Sequence, residues 1–236
     1  MLQLKDLNIG YRQKHVNKRV LGPLNLTVES GSLVALAGNN GTGKSTLVKT
    51  LSGILLPLSG EIFFNGKNIS YFDNLELSKL VSVVLTEKMG GFNLRAFDIV
   101  AAGRIPALNA FGKLSKNDIT IVNESMSLIG VENLSNALFE ELSDGQKQKI
   151  LIAKSLAQQT PVILMDEPTA FLDYRSRKSL FELLDQLAKT NKKTIIISSH
   201  DLEVLFKHAK QTLYLKEDKT YFFGETKDIK DEILTS

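Results

Sequence analysis

Short apolar runs, each closed by a polar or glycine-rich step, set the rhythm of this chain. Leu33-Val34-Ala35-Leu36-Ala37 enters Gly38, Val162-Ile163-Leu164-Met165 ends at Asp166, and Thr194-Ile195-Ile196-Ile197-Ser198 ends close to His200. Apolar runs of that length without alternation suit strands buried on both faces of a parallel sheet. Polar residues follow each run, and then helical spacing such as Leu180, Leu183, Leu184 and Leu187. Repeated strand–loop–helix units predict an α/β core with its ligand at the carboxyl ends of the strands. Leu2, Leu4, Leu7 and Ile9, and the alternating Leu24-Asn25-Leu26-Thr27-Val28, predict strands with one solvated face. Between them, Arg12-Gln13-Lys14-His15-Val16-Asn17-Lys18-Arg19 predicts a hairpin loop, with a polyanion contact as the alternative. Residues 87–160 carry few strand signals. Their helical spacing near 98–102, 117–129 and 146–157 predicts a helical insertion within one domain spanning 1–236. Strands return at 212–215 and 221–223, ahead of a short polar helix.

Composition mainly excludes. Lys and Arg number 29 against 26 Asp and Glu, so the net charge of +3 makes no case for a polyanionic partner. No aromatic–basic array suggests nucleic acid either. With no cysteine, disulfides, Cys-ligated zinc and thiol catalysis are ruled out. Met1-Leu2-Gln3-Leu4-Lys5-Asp6 does not read as a signal peptide. No apolar run reaches the roughly 18–20 residues that span a bilayer, so any membrane role needs spanning helices from other chains.

Gly38-Asn39-Asn40-Gly41-Thr42-Gly43-Lys44-Ser45-Thr46 fits G-x-x-x-x-G-K-[ST] between a buried strand and a helix. Glycines let successive backbone N–H groups face a phosphate, and the following helix adds its positive end. Lys44 would reach the β- and γ-phosphates of a nucleoside triphosphate, and the Ser45 hydroxyl would ligate Mg²⁺. The plain alternative is a Gly-rich turn with an exposed lysine. Asp166-Glu167-Pro168 places two carboxylates at the end of a buried strand, where desolvation is costly without a cation. Asp166 would hold Mg²⁺ or its waters, and Glu167 would polarise an attacking water. These two elements define a P-loop NTPase and nothing narrower.

Leu142-Ser143-Asp144-Gly145-Gln146, upstream of the acidic strand, resembles the L-S-G-G-Q signature of ABC ATPases, with Asp144 in place of a glycine. Alone the pentapeptide would serve equally as a helix cap. Beside the phosphate loop and in this order, the resemblance extends over nearly the whole chain. It implies an antiparallel β subdomain on the α/β core, Tyr11 stacked on adenine, and Ser143, Gly145 and Gln146 presented to the nucleotide of a second copy. It also implies that Asp173, in Ala170-Phe171-Leu172-Asp173, faces that partner, and that His200 touches the γ-phosphate. His15 and His208 are expected at the surface.

One departure concerns the glutamine that normally ends the strand before the helical insertion. Here Val81-Ser82-Val83-Val84-Leu85 is followed by Thr86-Glu87, so Thr86 and Glu87 are the metal-contact candidates. Val100-Ala101-Ala102-Gly103-Arg104-Ile105-Pro106, followed by Ser115 and Asp118 at a helix start, resembles the importer ATPases for iron-siderophores, haem and cobalamin. That subclass implies a homodimer on the cytoplasmic face of the membrane, integral-membrane permease subunits, and indirectly a substrate-binding protein. An exporter ATPase or a soluble ABC ATPase in cofactor assembly is the alternative; the Gly103-Arg104-Ile105-Pro106 segment, read as shaping the permease-docking surface, is what separates them.

Overall fold

The computed structural model describes residues 1–12, 16–86, 93–108 and 112–235. The chain opens with β1 (Leu2–Arg12), β2 (Asn17–Val28) and β3 (Leu33–Gly38), then α1 (Lys44–Leu51). Next come β4 (Ser59–Phe64), β5 (Lys67–Asn68), α2 (Asn74–Leu80) and β6 (Val81–Val84). Three helices follow, α3 (Ala96–Ala101), α4 (Lys116–Ile129) and α5 (Asp144–Ala157). The remainder is β7 (Val162–Met165), α6 (Tyr174–Asn191), β8 (Thr194–Ser198), α7 (Leu202–His208), β9 (Gln211–Leu215), β10 (Tyr221–Glu225) and α8 (Lys230–Thr235).

Two sheets result. One is antiparallel, in the order β2-β1-β4-β5. The other runs β10-β9-β3-β8-β7-β6 and is parallel except for the β9–β10 hairpin. The unbroken apolar runs make sense in this second sheet, because successive side chains feed opposite faces. Val34, Leu36, Leu164 and Ile196 join a core shared with the antiparallel sheet and α1. Their neighbours Ala35, Ile163, Ile195 and Ile197 join a separate core with α6 and α7. The sheet is therefore the middle layer.

Helices α3, α4 and α5 gather a third apolar cluster, centred on Phe139, Val122 and Ile150. Where 98–102 reads as one helix, α3 ends at Ala101 and a 3₁₀ turn carries 102–107. Two expectations need correction. Asn17, Lys18 and Arg19, expected in a loop, already pair with β1, Lys18 lying opposite Tyr11. His208, expected at the surface, is packed, its ring 6.4 Å from that of Phe181. His15 lies outside the described residues.

Candidate functional site

Strand order assembles the site. β3, β8, β7 and β6 are adjacent and parallel, so residues just past their carboxyl ends become neighbours. These are the phosphate loop after β3, Ser198 to His200 at β8, Asp166 and Glu167 after β7, and Thr86 after β6.

Gly38, Gly41 and Gly43 all have positive φ, at 145°, 82° and 108°, a region that excludes most side chains. At Gly43 a Cβ would also stand 2.7 Å from Val20 Cγ1. The Lys44 ammonium is buried against the loop and donates to Gly38 O at 2.7 Å and Asn39 O at 3.1 Å. Burial pulls its pKa below the usual lysine value, opposed by the charges of Glu167 and Asp166. Thr42 Oγ1 donates to Asn39 O at 2.8 Å and closes the loop from within. Ser45 is exposed at the start of α1, and Thr46 Oγ1 lies 3.1 Å from Tyr11 Oη.

Asp166 is almost fully buried and accepts a hydrogen bond from Ser198 Oγ at 2.9 Å. The same Ser198 oxygen accepts from Glu167 N at 2.9 Å. Glu167 sits at φ 47°, an uncommon conformation for this residue type, and Ser198 helps to hold it there. Its Oε1 is 2.9 Å from His200 Nε2, a hydrogen bond that requires the proton on that nitrogen. In the sequence Ser198 is simply the end of the apolar run that leads to His200. Its bridging role becomes visible once β7 and β8 are in register.

A cleft of about 420 Å³ is lined by Tyr11, Lys18, Arg19, Lys44, Glu167 and Lys219, together with Asn40, Gly41, Gly43, Ser45 and Thr46. Gly38, Asn39, Asn40 and His200 line an adjoining one. Thr86 is half-buried in the bend after β6, and Glu87 lies outside the described residues.

Among the described residues, Ser143, Gly145, Gln146 and Asp173 line neither cleft. Ser143 is the N-cap of α5 in a capping box: its Oγ accepts from Gln146 N at 3.3 Å and Gln146 Oε1 accepts from Ser143 N at 2.9 Å. Asp144 is exposed, which explains why that position tolerates a side chain. Gly145 tolerates none, because a Cβ would meet Phe171 O at 2.7 Å. Asp173 caps α6, and hydrogen bonds from Ser176 N and Oγ hold its carboxyl below the usual range.

Arg104, expected in a segment that shapes a docking surface, points inward. It is buried, with Nε 2.9 Å from Asp118 Oδ1 and an NH1 bond to Ala157 O at 2.8 Å. Gly103 packs so close to α5 that a Cβ would stand 2.4 Å from Lys154 O. Ser115 and Asp118 form the expected capping box of α4. Gly103 and Arg104 thus form an internal brace between α4 and α5, while Ile105, 61% exposed, faces outward and Pro106 is half-buried.

Comparison with known proteins bears on the family and the fold. The sequence pattern of the ABC transporter family matches residues 21–170. The chain is 37% identical over 229 residues to an uncharacterised ABC transporter ATP-binding protein of Methanocaldococcus jannaschii, covering 97% of this chain and 78% of that protein. It is 32% identical over 216 residues to the iron(3+)-hydroxamate import ATP-binding protein FhuC of Bacillus subtilis, covering 92% and 79%. Among solved structures, the dimeric ATP-binding cassette MJ0796, in a post-hydrolysis state bound to ADP and Pi, matches with a TM-score of 0.84 at 26% identity, covering 96% of this chain and 99% of that one. The pattern alone spans more than half of the sequence and the relatives align along almost all of it: the chain belongs to the ABC transporter family, as one of its ATPases.

Proposed function

We propose that this chain, acting as a single domain with 87–160 as its helical insertion, hydrolyses ATP between two copies of itself to power uptake of an iron chelate. The observation that carries the catalytic part is the meeting of Lys44, Tyr11 and Glu167 in one cleft, with Asp166 and Ser198 directly behind Glu167. Lys44 and the loop N–H groups bind the phosphates, and Tyr11 takes the base. Glu167, oriented by Ser198 and in contact with His200, accepts a proton from the attacking water.

Among the described residues no group of three or more His, Cys, Asp and Glu gathers to hold a metal. Mg²⁺ is commonly held by one or two carboxylates together with substrate phosphates. The donor set fits it: the exposed Ser45 hydroxyl and the buried Asp166 carboxylate would hold Mg²⁺, which supplies charge stabilisation, with Thr86 or Glu87 contributing an oxygen.

Ser143, Gly145, Gln146 and Asp173 stand clear of this chain's own clefts, which favours their use on the nucleotide of a second copy. No helix among the described residues is long and apolar enough to cross a membrane. Spanning permease subunits, with this chain on their cytoplasmic face and a substrate-binding protein beyond, complete the proposal. The likeness to FhuC supports the iron-chelate cargo. Capture of the tagged protein from detergent-solubilised native membranes tests it. Recovery of a multi-span permease with a binding protein supports uptake, and recovery with soluble assembly factors alone contradicts it.

A further inference from the structure

We propose that the turn between β9 and β10 is a working part of the nucleotide cleft, in which Lys219 supplies a further lysine to the polyphosphate while Glu217 fixes the turn to the phosphate loop. The proposal rests on the cleft being the ATP site.

β9 is the immediate neighbour of β3, with Gly38 opposite Leu215, so the turn that follows β9 emerges beside the phosphate loop. Asn39 Nδ2 donates to Glu217 Oε1 at 2.8 Å, which ties the two loops together. The turn is closed on itself. Lys219 N donates to Lys216 O at 3.2 Å and Lys216 N to Thr220 O at 3.0 Å. Asp218 accepts from Thr220 N at 2.9 Å and from Thr220 Oγ1 at 2.6 Å. Both acids of the turn are therefore engaged, one with Asn39 and one with Thr220.

Lys219 itself lines the cleft that holds Tyr11, Lys44 and Glu167. Its backbone sits at φ 67°, a position that glycine or asparagine fills at lower cost. A lysine kept in such a conformation, at the mouth of a cleft built for a polyanion, has a use for its charge. A cation there raises the local concentration of nucleotide and strengthens its hold in proportion to the phosphates present.

Lys219→Gly separates this role from folding, because glycine relaxes the backbone that lysine strains. Titrations of ATP, ADP and AMP into wild type, Lys219→Gly and the exposed control Lys227→Ala supply the test, with Lys44→Ala alongside. The ATP Kd of Lys219→Gly should rise about two- to fivefold, the range of an exposed charge pair. The loss should shrink from ATP to AMP and with added salt, while Tm is unchanged or higher and Lys227→Ala binds as wild type. Unchanged ATP affinity in Lys219→Gly, or an equal loss for ATP and AMP, overturns the proposal. If that happens while Lys44→Ala still loses ATP, the ATP site stands without this contact; wild-type binding by Lys44→Ala would remove the site itself.

Discussion

Replacing Asp118 by asparagine puts a number on the brace inside the helical region. In the native chain the Asp118 carboxylate accepts from Arg104 Nε at 2.9 Å, Ser115 N at 2.9 Å and Ser115 Oγ at 2.6 Å. The two charged side chains are 7% and 10% exposed, so Asp118→Asn leaves a guanidinium buried without its counter-charge. Breaking a buried pair in this way costs about 3–5 kcal/mol. Arg104 keeps its bonds to Ala157 O at 2.8 Å and Gln159 Oε1 at 3.3 Å, which points to the lower end. About 3 kcal/mol in a domain of this size corresponds to a fall in Tm of about 6–12 °C.

The pH dependence follows. Hydrogen bonds from the Ser115 side chain and backbone, and then Arg104, hold Asp118 at about 2, below the unfolded value near 3.9. Its stabilisation is therefore complete above about pH 4 and is lost as pH falls towards 2, so wild type and variant converge across that window. Thermal melts from pH 7 down to 2 measure this. A variant melting within a degree of wild type at pH 7, or a gap that widens on acidification, would refute the reasoning.

Two further substitutions probe the site. Ser198→Ala removes the donor to Asp166 and the acceptor of Glu167 N; leaving those groups unpaired costs about 1–3 kcal/mol. It should lower kcat more than it raises the KM for ATP, and steady-state kinetics in which only KM moves would count against Ser198 as a positioning residue. Gly145→Ala forces a methyl onto Phe171 O, overpacking worth about 1–3 kcal/mol. Single-site ATP binding should survive while hydrolysis falls at least tenfold; wild-type turnover would mean that the 143–146 segment takes no part.

The middle sheet was readable because strands buried on both faces leave unbroken apolar runs, and β3, β7 and β8 carry the clearest of them. The phosphate loop was readable because its glycines answer a local backbone demand. Residues 52 to 80 gave no comparable signal. α2 buries no residue fully and packs only the half-buried Leu77 and Leu80 against the first core, a short apolar signal, so the Asp73–Glu76 capping box is the clearest mark of its start. The first half of β4 is exposed, which blurs its period. Arg104, next to Gly103 and two residues before Pro106, has the look of a surface residue. Its burial depends on Asp118 and on the carbonyl of Ala157, contacts made only when α4 and α5 pack. Lys219 is legible only once β9 is known to lie next to β3.

Hydrolysis of ATP by a pair of these chains is tested most directly by the solution mass and turnover of Glu167→Gln with ATP and Mg²⁺. The account predicts that ATP doubles the mass while hydrolysis falls at least about 100-fold, the loss expected of a missing general base. Turnover at the wild-type rate, or a variant that binds ATP and remains a monomer at every concentration, would contradict it.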